Sequence, residues 1–185
     1  MRIAILNGNP DPGNLKFEGY LKSLADLLRA KNHAVNMLTL RALDIGYCTG
    51  CWGCWVRTPG QCVNEDGSRE VCRAWANSDL MLLASPLRMG FVTALLKAAL
   101  DKSIPVGLPY IELHRGECHH RPRYPRQPKM AALLERAPDT DQEDLDIVEA
   151  AFRRNALNFK TDYCFTRFVG GAAEEVADAI GRASP

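Results

Sequence analysis

The sequence lacks long apolar runs, a strong charge of either sign and internal repeats. Its longest apolar stretches, such as Leu80 to Ala84, are far too short to cross a bilayer. The apolar stretch near the amino terminus is also too short for an export signal. Lys and Arg number 23 against 22 Asp and Glu, so the net charge is +1. We therefore expect a cytoplasmic protein, with no nucleic acid and no membrane as partner.

Cysteine is plentiful by contrast, with seven in 185 residues. The number is odd and the residues are clustered, which favours metal or redox thiols in a reducing compartment over disulfides. Four of them follow a C-x2-C-x2-C-x7-C spacing at Cys48, Cys51, Cys54 and Cys62. Four thiolates on one short loop can bind an iron–sulfur cluster or a zinc ion. Zinc sites usually use two separated pairs of cysteines, so the overlapping spacing favours an iron–sulfur cluster. Free thiols without metal are the third alternative.

The order of elements predicts the fold. Apolar runs indicate strands at 2–7, 34–40, 79–84, 129–135 and 162–169, and helical periodicity indicates helices at 17–30, 70–77, 90–103, 141–158 and 172–182. This alternation is typical of an α/β protein with a doubly wound parallel sheet. We predict one flavodoxin-like domain over residues 1–185, with five parallel strands in the order 2-1-3-4-5. Residues 47–66 form the cysteine-rich loop, and 104–127, rich in proline and arginine, are expected to form an irregular excursion.

In such a sheet the ligand binds beyond the carboxyl ends of the strands, where strands one and three flank the switch point. The first strand leads into Gly8-Asn9-Pro10-Asp11-Pro12-Gly13, and Asn14 can cap the helix that follows. Backbone amides in such a loop can hold a phosphate next to a helix amino terminus. An ordinary strand-to-helix turn has the same composition, so this loop alone does not establish a phosphate site.

The segment after the third strand is more specific. Ser85-Pro86-Leu87-Arg88-Met89-Gly90 is followed by Thr93-Ala94, Leu96-Lys97 and Leu100-Asp101-Lys102. It resembles the NADPH-dependent FMN reductase family, which typically has S-P-V-Y-x-G-x-x-S-A-x-L-K-x-x-x-D-R here. The resemblance implies that the segment wraps a flavin. The FMN-binding residues that it implies are Gly8, Asn9, Pro10, Asn14, Leu15, Ser85, Pro86, Leu87, Arg88, Met89 and Gly90.

The cysteine loop resembles that of the iron–sulfur flavoproteins, a branch of this family. The resemblance implies a 4Fe–4S cluster on Cys48, Cys51, Cys54 and Cys62 that exchanges electrons with FMN. It also implies a homodimer or homotetramer. NAD(P)H or a reduced redox protein would supply electrons, and a quinone, flavin or metal compound would accept them. No catalytic residue is identified, as expected where a cofactor carries the chemistry.

Of the departures from the family pattern, two bear most directly on flavin binding. Asp11 stands where the family has arginine, and Arg88 stands where it has tyrosine. A carboxylate 4 Å from a phosphate costs roughly 1–4 kcal/mol per pair of unit charges. FMN affinity should therefore suffer unless Asp11 turns outward. Two alternatives stay open: a cluster-free NAD(P)H:quinone or flavin reductase, and a non-enzymatic zinc or thiol interaction module on the same fold.

Overall fold

The computed structural model describes residues 1–183. The strands are β1 (Arg2–Asn7), β2 (Ala34–Thr39), β3 (Leu80–Arg88), β4 (Phe91–Val92), β5 (Gly107–His114), β6 (Glu117–Pro122), β7 (Lys129–Glu135) and β8 (Tyr163–Phe168). The helices are α1 (Leu15–Ala30), α2 (Gly53–Val56), α3 (Ser68–Asn77), α4 (Ala94–Asp101), α5 (Gln142–Asn158) and α6 (Ala173–Arg182). Within residues 1–183, no helix combines the length and the apolar character that a membrane span requires.

The main sheet has the strand order β2-β1-β3-β7-β8, and all of these neighbours pair in parallel. This arrangement confirms the predicted α/β fold with order 2-1-3-4-5. Each face of the sheet carries its own apolar core. The central strand β3 is buried on both faces from Leu80 to Leu87, which explains its nearly unbroken apolar sequence.

Helix α1 shows why the first strand leads into a helix at this point. The side chain of Asn14 accepts a hydrogen bond from the backbone N–H of Phe17 and so caps the helix. Phe17, Leu21, Leu24 and Leu28 recur at helical spacing, and all four are buried against the sheet. The amino terminus of α1 is thereby fixed beside the carboxyl end of β1.

The prediction that 104–127 lacks regular structure was wrong. Strands β5 and β6 form an antiparallel hairpin joined at Arg115 and Gly116, whose φ angles of 51° and 81° are both positive. Two central residues with positive φ are the mark of a tight hairpin turn whose twist matches that of its strands. Alternation of apolar and polar residues before this Arg-Gly pair was the available signal, and the surrounding prolines obscured it.

The prediction that Ser85-Pro86 ends the third strand and that a helix starts at 90 was also wrong. Strand β3 continues to Arg88, turns at Met89 and Gly90, and pairs with the short β4 before α4 begins. Pro86 lies within the parallel register opposite Glu135 of β7. Part of the predicted flavin loop is therefore strand.

Candidate functional site

The carboxyl ends of β1 and β3 lie side by side. The backbone N–H of Gly8 donates to the carbonyl of Ala84 over 2.8 Å, and the hydroxyl of Thr93 donates to the carbonyl of Gly8 over 2.6 Å. A Cβ on residue 8 would lie 2.8 Å from the Cβ of Leu96, so only glycine permits this approach. The structure thus brings together the two predicted loops at the switch point of the sheet.

The first loop is held by side chains that bond to amides two residues ahead. Asn7 Oδ1 accepts from the N–H of Asn9 over 3.0 Å, and Asn9 Oδ1 accepts from the N–H of Asp11 over 3.1 Å. Asp11 Oδ1 then accepts from the N–H of Gly13 over 2.8 Å. The last of these acceptors is exposed and anionic. The amide of Gly13 therefore already faces a negatively charged oxygen.

This loop fits a phosphate under one condition. The amide of Gly13 lies next to the start of α1, where the helix dipole favours negative charge. The carboxylate of Asp11 accepts a hydrogen bond from that amide in the structure, and it would have to turn toward solvent before a phosphate could bind there. Asn7 and Asn9 are fully buried and their bonds shape the loop, so they are not displaced. Pro10 and Leu15 are exposed beside the loop, where a bound group would meet them.

Two further residues support the loop from outside the predicted set. The carboxylate of Glu18 accepts hydrogen bonds from the side chains of Asn7 and Asn9, and from Arg41 over 2.8 Å. Burial alone would raise the pKa of Glu18, but the bonds from Arg41, Asn9 and Asn7 lower it overall. Arg41 also donates to the carbonyl of Asn9. Glu18 lies on α1 and Arg41 lies just after β2, so the sequence pattern gave no signal for them.

Asn14 has two partners at once. Its side-chain oxygen caps α1, and its side-chain N–H donates to Glu135 Oε2 over 2.6 Å at the end of β7. This bond ties the first loop to the next strand of the sheet. Asn14 thus positions the amino terminus of α1, and its polar atoms are engaged in doing so.

The second loop divides into a buried and an exposed half. Ser85, Pro86 and Leu87 are buried, and Ser85 Oγ accepts from the N–H of Thr93 over 3.1 Å. Met89 is 95% exposed, Arg88 is exposed, and both lie at the tip of the β3–β4 turn. Only this tip can present side chains to a bound ring. The buried half fixes its position.

The carboxylate of Asp144 packs against Gly90 at this tip. The φ of 72° at residue 90 favours glycine, and the place that a Cβ would take is occupied by the carboxylate of Asp144 in α5. Asp144 itself belongs to the capping box of α5 with Asp141. The amino terminus of α5 therefore packs against the β3–β4 turn.

The four predicted metal ligands line one small cavity, here called the cysteine cavity. Its walls are formed by Cys48, Cys51, Cys54 and Cys62, together with Trp52, Lys102, Ile104 and other residues of 47–64 and 102–105. All four cysteines are free thiols, two of them exposed and two half-buried. Helix α2 starts at Gly53 and carries Cys54, and the side chain of Val63 leaves no room for a Cβ on residue 53.

The four thiols share this cavity without converging on one point. Among residues 1–183, no three Cys, His, Asp or Glu side chains are close enough to hold a metal ion. A single tetrahedral zinc ion requires such convergence. The arrangement in the structure is therefore more open than a zinc site.

The ionisable groups around the cavity differ in the direction in which their pKa values are shifted. The amide of Gly53 donates to Cys51 and lowers the pKa of that exposed thiol, whereas burial raises the pKa of Cys54. Lys102, only 3% exposed, forms an ion pair with Asp66 next to the cavity. Burial would lower the pKa of Lys102, but Asp66 and Cys62 raise it overall. A buried cation thus stands beside the thiols.

Asp66 itself has a strongly shifted pKa. Burial acts to raise it, but hydrogen bonds from Lys102 and Ser68 prevail and lower the pKa to about 2. Asp66 also accepts from the N–H groups of Gly46 and Ser68. It therefore fixes both ends of the cysteine loop to the start of α3.

The cysteine cavity and the two loops at the switch point are separate in one chain. None of the residues that line the cavity belongs to 8–14 or 85–90. The other cysteines do not line the cavity: Cys72 is buried next to it against Lys102, with its pKa raised by burial to about 12, Cys164 is half-buried and Cys118 is exposed. Two structurally independent sites follow.

Comparison with known proteins gives this geometry a context. Residues 1–124 match the NADPH-dependent FMN reductase family. Two iron–sulfur flavoproteins from Archaeoglobus fulgidus are 37% identical over 73 residues and 26% identical over 103 residues. These matches cover 40% and 56% of this chain, but only 32% and 49% of the relatives, so the chain spans less than half of either relative's length.

Solved structures support the same fold. An FMN-dependent NADH-azoreductase from Bacillus anthracis, in complex with FMN, is 12% identical with a TM-score of 0.63, and the match covers 100% of this chain and 99% of that one. An NAD(P)H:quinone oxidoreductase from Methanothermobacter marburgensis is 16% identical with a TM-score of 0.64, covering 99% and 96% of the two chains. At these identities the likeness establishes the architecture alone.

Proposed function

Because the chain belongs to the NADPH-dependent FMN reductase family, we propose that it is an FMN-dependent oxidoreductase that moves electrons from NAD(P)H or another reduced donor to a small acceptor. The family match confirms the predicted family and supports the predicted class of FMN-dependent enzyme. The observation that carries the proposal for this chain is the joining of the two loops at the switch point through Gly8, Ala84 and Thr93.

We assign the FMN site to the residues of those loops. The amide of Gly13 and the start of α1 would hold the phosphate, with Gly8, Asn9, Pro10, Asn14 and Leu15 forming the loop around it. Ser85, Pro86 and Leu87 would support the turn whose tip, at Arg88, Met89 and Gly90, borders the ring. FMN supplies hydride and single-electron chemistry when bound. The protein's own part is to bind it, orient it and leave one edge open.

We further propose that the cysteine cavity holds a 4Fe–4S cluster on Cys48, Cys51, Cys54 and Cys62. In a four-iron cluster each thiolate binds a different iron, so the sulfurs surround a volume and need not meet at one point. Four cysteines that line one cavity offer the four ligands that such a cluster requires. The positive charge of Lys102 would offset part of the negative charge of four thiolates.

A homodimer or homotetramer is proposed as the working state. The cysteine cavity and the flavin loops share no lining residue within one chain, and the resemblance to the iron–sulfur flavoproteins implies that the two cofactors meet across a subunit boundary. Exposed apolar side chains at Tyr47, Ile111 and Leu113 offer material for such a boundary. Light scattering behind a sizing column would measure the mass, and a strict monomer at tens of micromolar would contradict the proposal.

A cytoplasmic location is proposed on chemical grounds. Thiolate ligands to iron need a compartment that keeps them reduced, and all seven cysteines of the chain are free thiols.

The proposed function is tested with anaerobically purified protein. We expect a flavin spectrum with a broad additional absorption from the cluster, and oxidation of NADH or NADPH when ferricyanide is added as a general acceptor. Protein that stays colourless after incubation with FMN, iron and sulfide would refute it. Bound FMN without iron, combined with full turnover, would favour the cluster-free reductase. One zinc per chain and no flavin would favour an interaction module.

A further inference from the structure

A second and larger cavity lies next to the cysteine cavity, away from the flavin loops. We call it the tryptophan pocket, and Trp52, Trp55, Ile104, His120, Asn158 and Phe159 are among its walls. Its volume is about 400 Å³. Ligand sites in proteins measure roughly 300–1,000 Å³, so this one suits a small ligand of one or two rings.

The pocket is built between three parts of the fold. Trp52 and Trp55 come from the cysteine loop, His120 comes from the β5–β6 hairpin, and Asn158 and Phe159 come from the end of α5. Trp55 is fixed in place because its indole N–H donates to the carbonyl of Gly107 over 3.1 Å. The hairpin is thereby anchored to the cysteine loop along one wall of the pocket.

Aromatic rings define the shape of a suitable ligand. The rings of Trp52 and Trp55 stack with centroids 4.9 Å apart and an interplanar angle of 21°, and His120 lies 4.7 Å from Trp55. Trp52 is 53% exposed, although a tryptophan gains most from burial. A flat ring placed against this group would gain stacking contacts and cover part of that exposed surface.

The charged side chains at the pocket are already paired. Asp101 forms an ion pair with Lys97 over 2.5 Å, and Arg121 forms one with Glu112 over 3.0 Å. A ligand therefore finds no unpaired charge among these groups, which favours an uncharged compound.

Polar ring nitrogens remain for recognition, and Nε2 of His119 already lies 3.3 Å from Glu117 Oε2. His120 Nδ1 donates to the carbonyl of Leu108 over 2.8 Å, since a carbonyl can only accept, so in the neutral ring Nε2 carries a lone pair. His119, only 5% exposed, is held through Nδ1 by the side chain of Asn158 over 3.1 Å. The pocket thus combines flat apolar walls with a few fixed polar atoms, as small-ligand sites do.

From these contacts we infer that the tryptophan pocket binds an uncharged planar aromatic compound. Trp52 and Ile104 line both this pocket and the cysteine cavity, so a bound ring would be separated from the thiols by a single layer of side chains. The role of this compound as electron acceptor rests on the proposed function, whereas its binding does not. The site is distinct from the surface over the flavin loops, because none of the residues of 8–14 and 85–90 lines the pocket.

The test is equilibrium dialysis of the FMN-loaded protein with duroquinone, without NAD(P)H and under anaerobic conditions. Duroquinone carries a methyl group on each free ring carbon, which blocks the addition of thiols to the ring. We expect one bound molecule per chain. Trp52→Ala should raise the Kd about tenfold, since stacking on an aromatic side chain contributes about 1–3 kcal/mol per ring. Tyr110→Ala is the matched control, an equally exposed aromatic on the hairpin that does not line the pocket.

Three results would overturn the inference. The first is an absence of duroquinone binding to the FMN-loaded wild type. The second is an unchanged Kd in Trp52→Ala, which would place the quinone elsewhere, as over the flavin loops. The third is binding that weakens as the protein self-associates, which would show that a second copy covers the pocket.

The outcome is separable from that of the proposed function. Turnover of NAD(P)H with ferricyanide, together with an unchanged Kd in Trp52→Ala, would leave the function standing and remove the pocket. Binding of duroquinone that depends on Trp52, in protein without NAD(P)H oxidation, would do the reverse.

Discussion

Asp11 occupies an amide of the first loop that belongs to the proposed phosphate site. Its carboxylate accepts from the N–H of Gly13 over 2.8 Å, so the loop is closed by an anion of the protein itself. The sequence predicted that Asp11 would oppose FMN unless it turned outward, and in the structure the exposed Asp11 turns its carboxylate onto the amide of Gly13. The chain of bonds from Asn7 through Asn9 explains this position, since each side chain reaches the amide two residues ahead.

We therefore predict that Asp11→Ser binds FMN about tenfold more tightly, because a competing charge worth roughly 1–4 kcal/mol at 4 Å is removed. Quenching of flavin fluorescence during titration of the flavin-free protein measures the Kd. Riboflavin, which has no phosphate, should bind both proteins equally.

Asp26→Ser is the matched control variant. It removes the same charge from the outer face of α1, where Asp26 pairs with Arg29, and should leave the Kd of FMN unchanged. Equal or weaker FMN binding by Asp11→Ser would contradict this account.

The pair formed by Lys102 and Asp66 determines how stability depends on pH. The folded-state pKa of Asp66 is about 2, below its ordinary value of 3.8. A lowered carboxyl pKa contributes stability that is complete above the ordinary value and is lost as the pH falls from about 4 to about 2. The side chain of Asp66 is 12% exposed, so solvent screening reduces this effect little.

Replacing Asp66 by Asn should lower the free energy of unfolding by about 3 kcal/mol at pH 7, because buried Lys102 loses its counter-charge. Urea denaturation at pH 7, 4 and 3 tests this, and the gap to the wild type should shrink at pH 3. Asp178→Asn breaks the exposed pair with Lys31 and should cost less than about 1 kcal/mol. A gap in Asp66→Asn that did not depend on pH would contradict the prediction.

At the scale of elements, local signals predicted most of the structure. The parallel strands and their helices were predicted to within a few residues, since apolar runs and helical spacing report which faces are buried. The β5–β6 hairpin was missed because its turn residues, Arg115 and Gly116, lack the usual Asn-Gly signature. The extension of β3 through Pro86 was missed because proline normally ends a strand. The hairpin lies outside the main sheet, whereas the extension lengthens its central strand.

The turn of the hairpin offers a test at this scale. Arg115 has a φ of 51° and Gly116 a φ of 81°, and a Cβ on residue 116 would meet no other atom within 4 Å. Gly116→Ala should therefore lower the free energy of unfolding by about 1 kcal/mol through backbone strain alone, and Arg115→Asn should raise it by a few tenths to about 1 kcal/mol.

Gly19→Ala is the control for this pair of variants, because alanine at position 19 should raise the free energy of unfolding. Gly19 is exposed within α1 and has open space around it, so alanine should stabilise the helix by about 0.5–1 kcal/mol. Urea midpoints measure all three variants. Equal effects of alanine at 116 and at 19 would mean that backbone conformation does not control the turn.

At the scale of the whole molecule, the sequence predicted the order of the sheet and the meeting of the loops that follow β1 and β3. Both follow from right-handed crossovers between parallel strands. The tertiary position of the cysteine loop was not predictable in this way. It depends on single long-range contacts, such as Trp55 to Gly107 and Lys102 to Asp66, that join segments 36 to 52 residues apart. No periodic pattern reports such contacts, which is why the tryptophan pocket had no signal in the sequence.

The separation of the two sites leads to a prediction about cofactor content. Serine does not ionise to replace a thiolate, so Cys51→Ser should lose a ligand of the proposed cluster. We expect about four iron atoms per chain in the anaerobic wild type and clearly fewer in Cys51→Ser, with the FMN content equal in both. The FMN should persist because no residue of the flavin loops lines the cysteine cavity.

Cys118→Ser, which replaces an exposed cysteine outside that cavity, is the control and should keep both cofactors. Iron that persists in Cys51→Ser would contradict the assignment of this ligand, and a parallel loss of FMN would show that the two sites depend on each other within one chain.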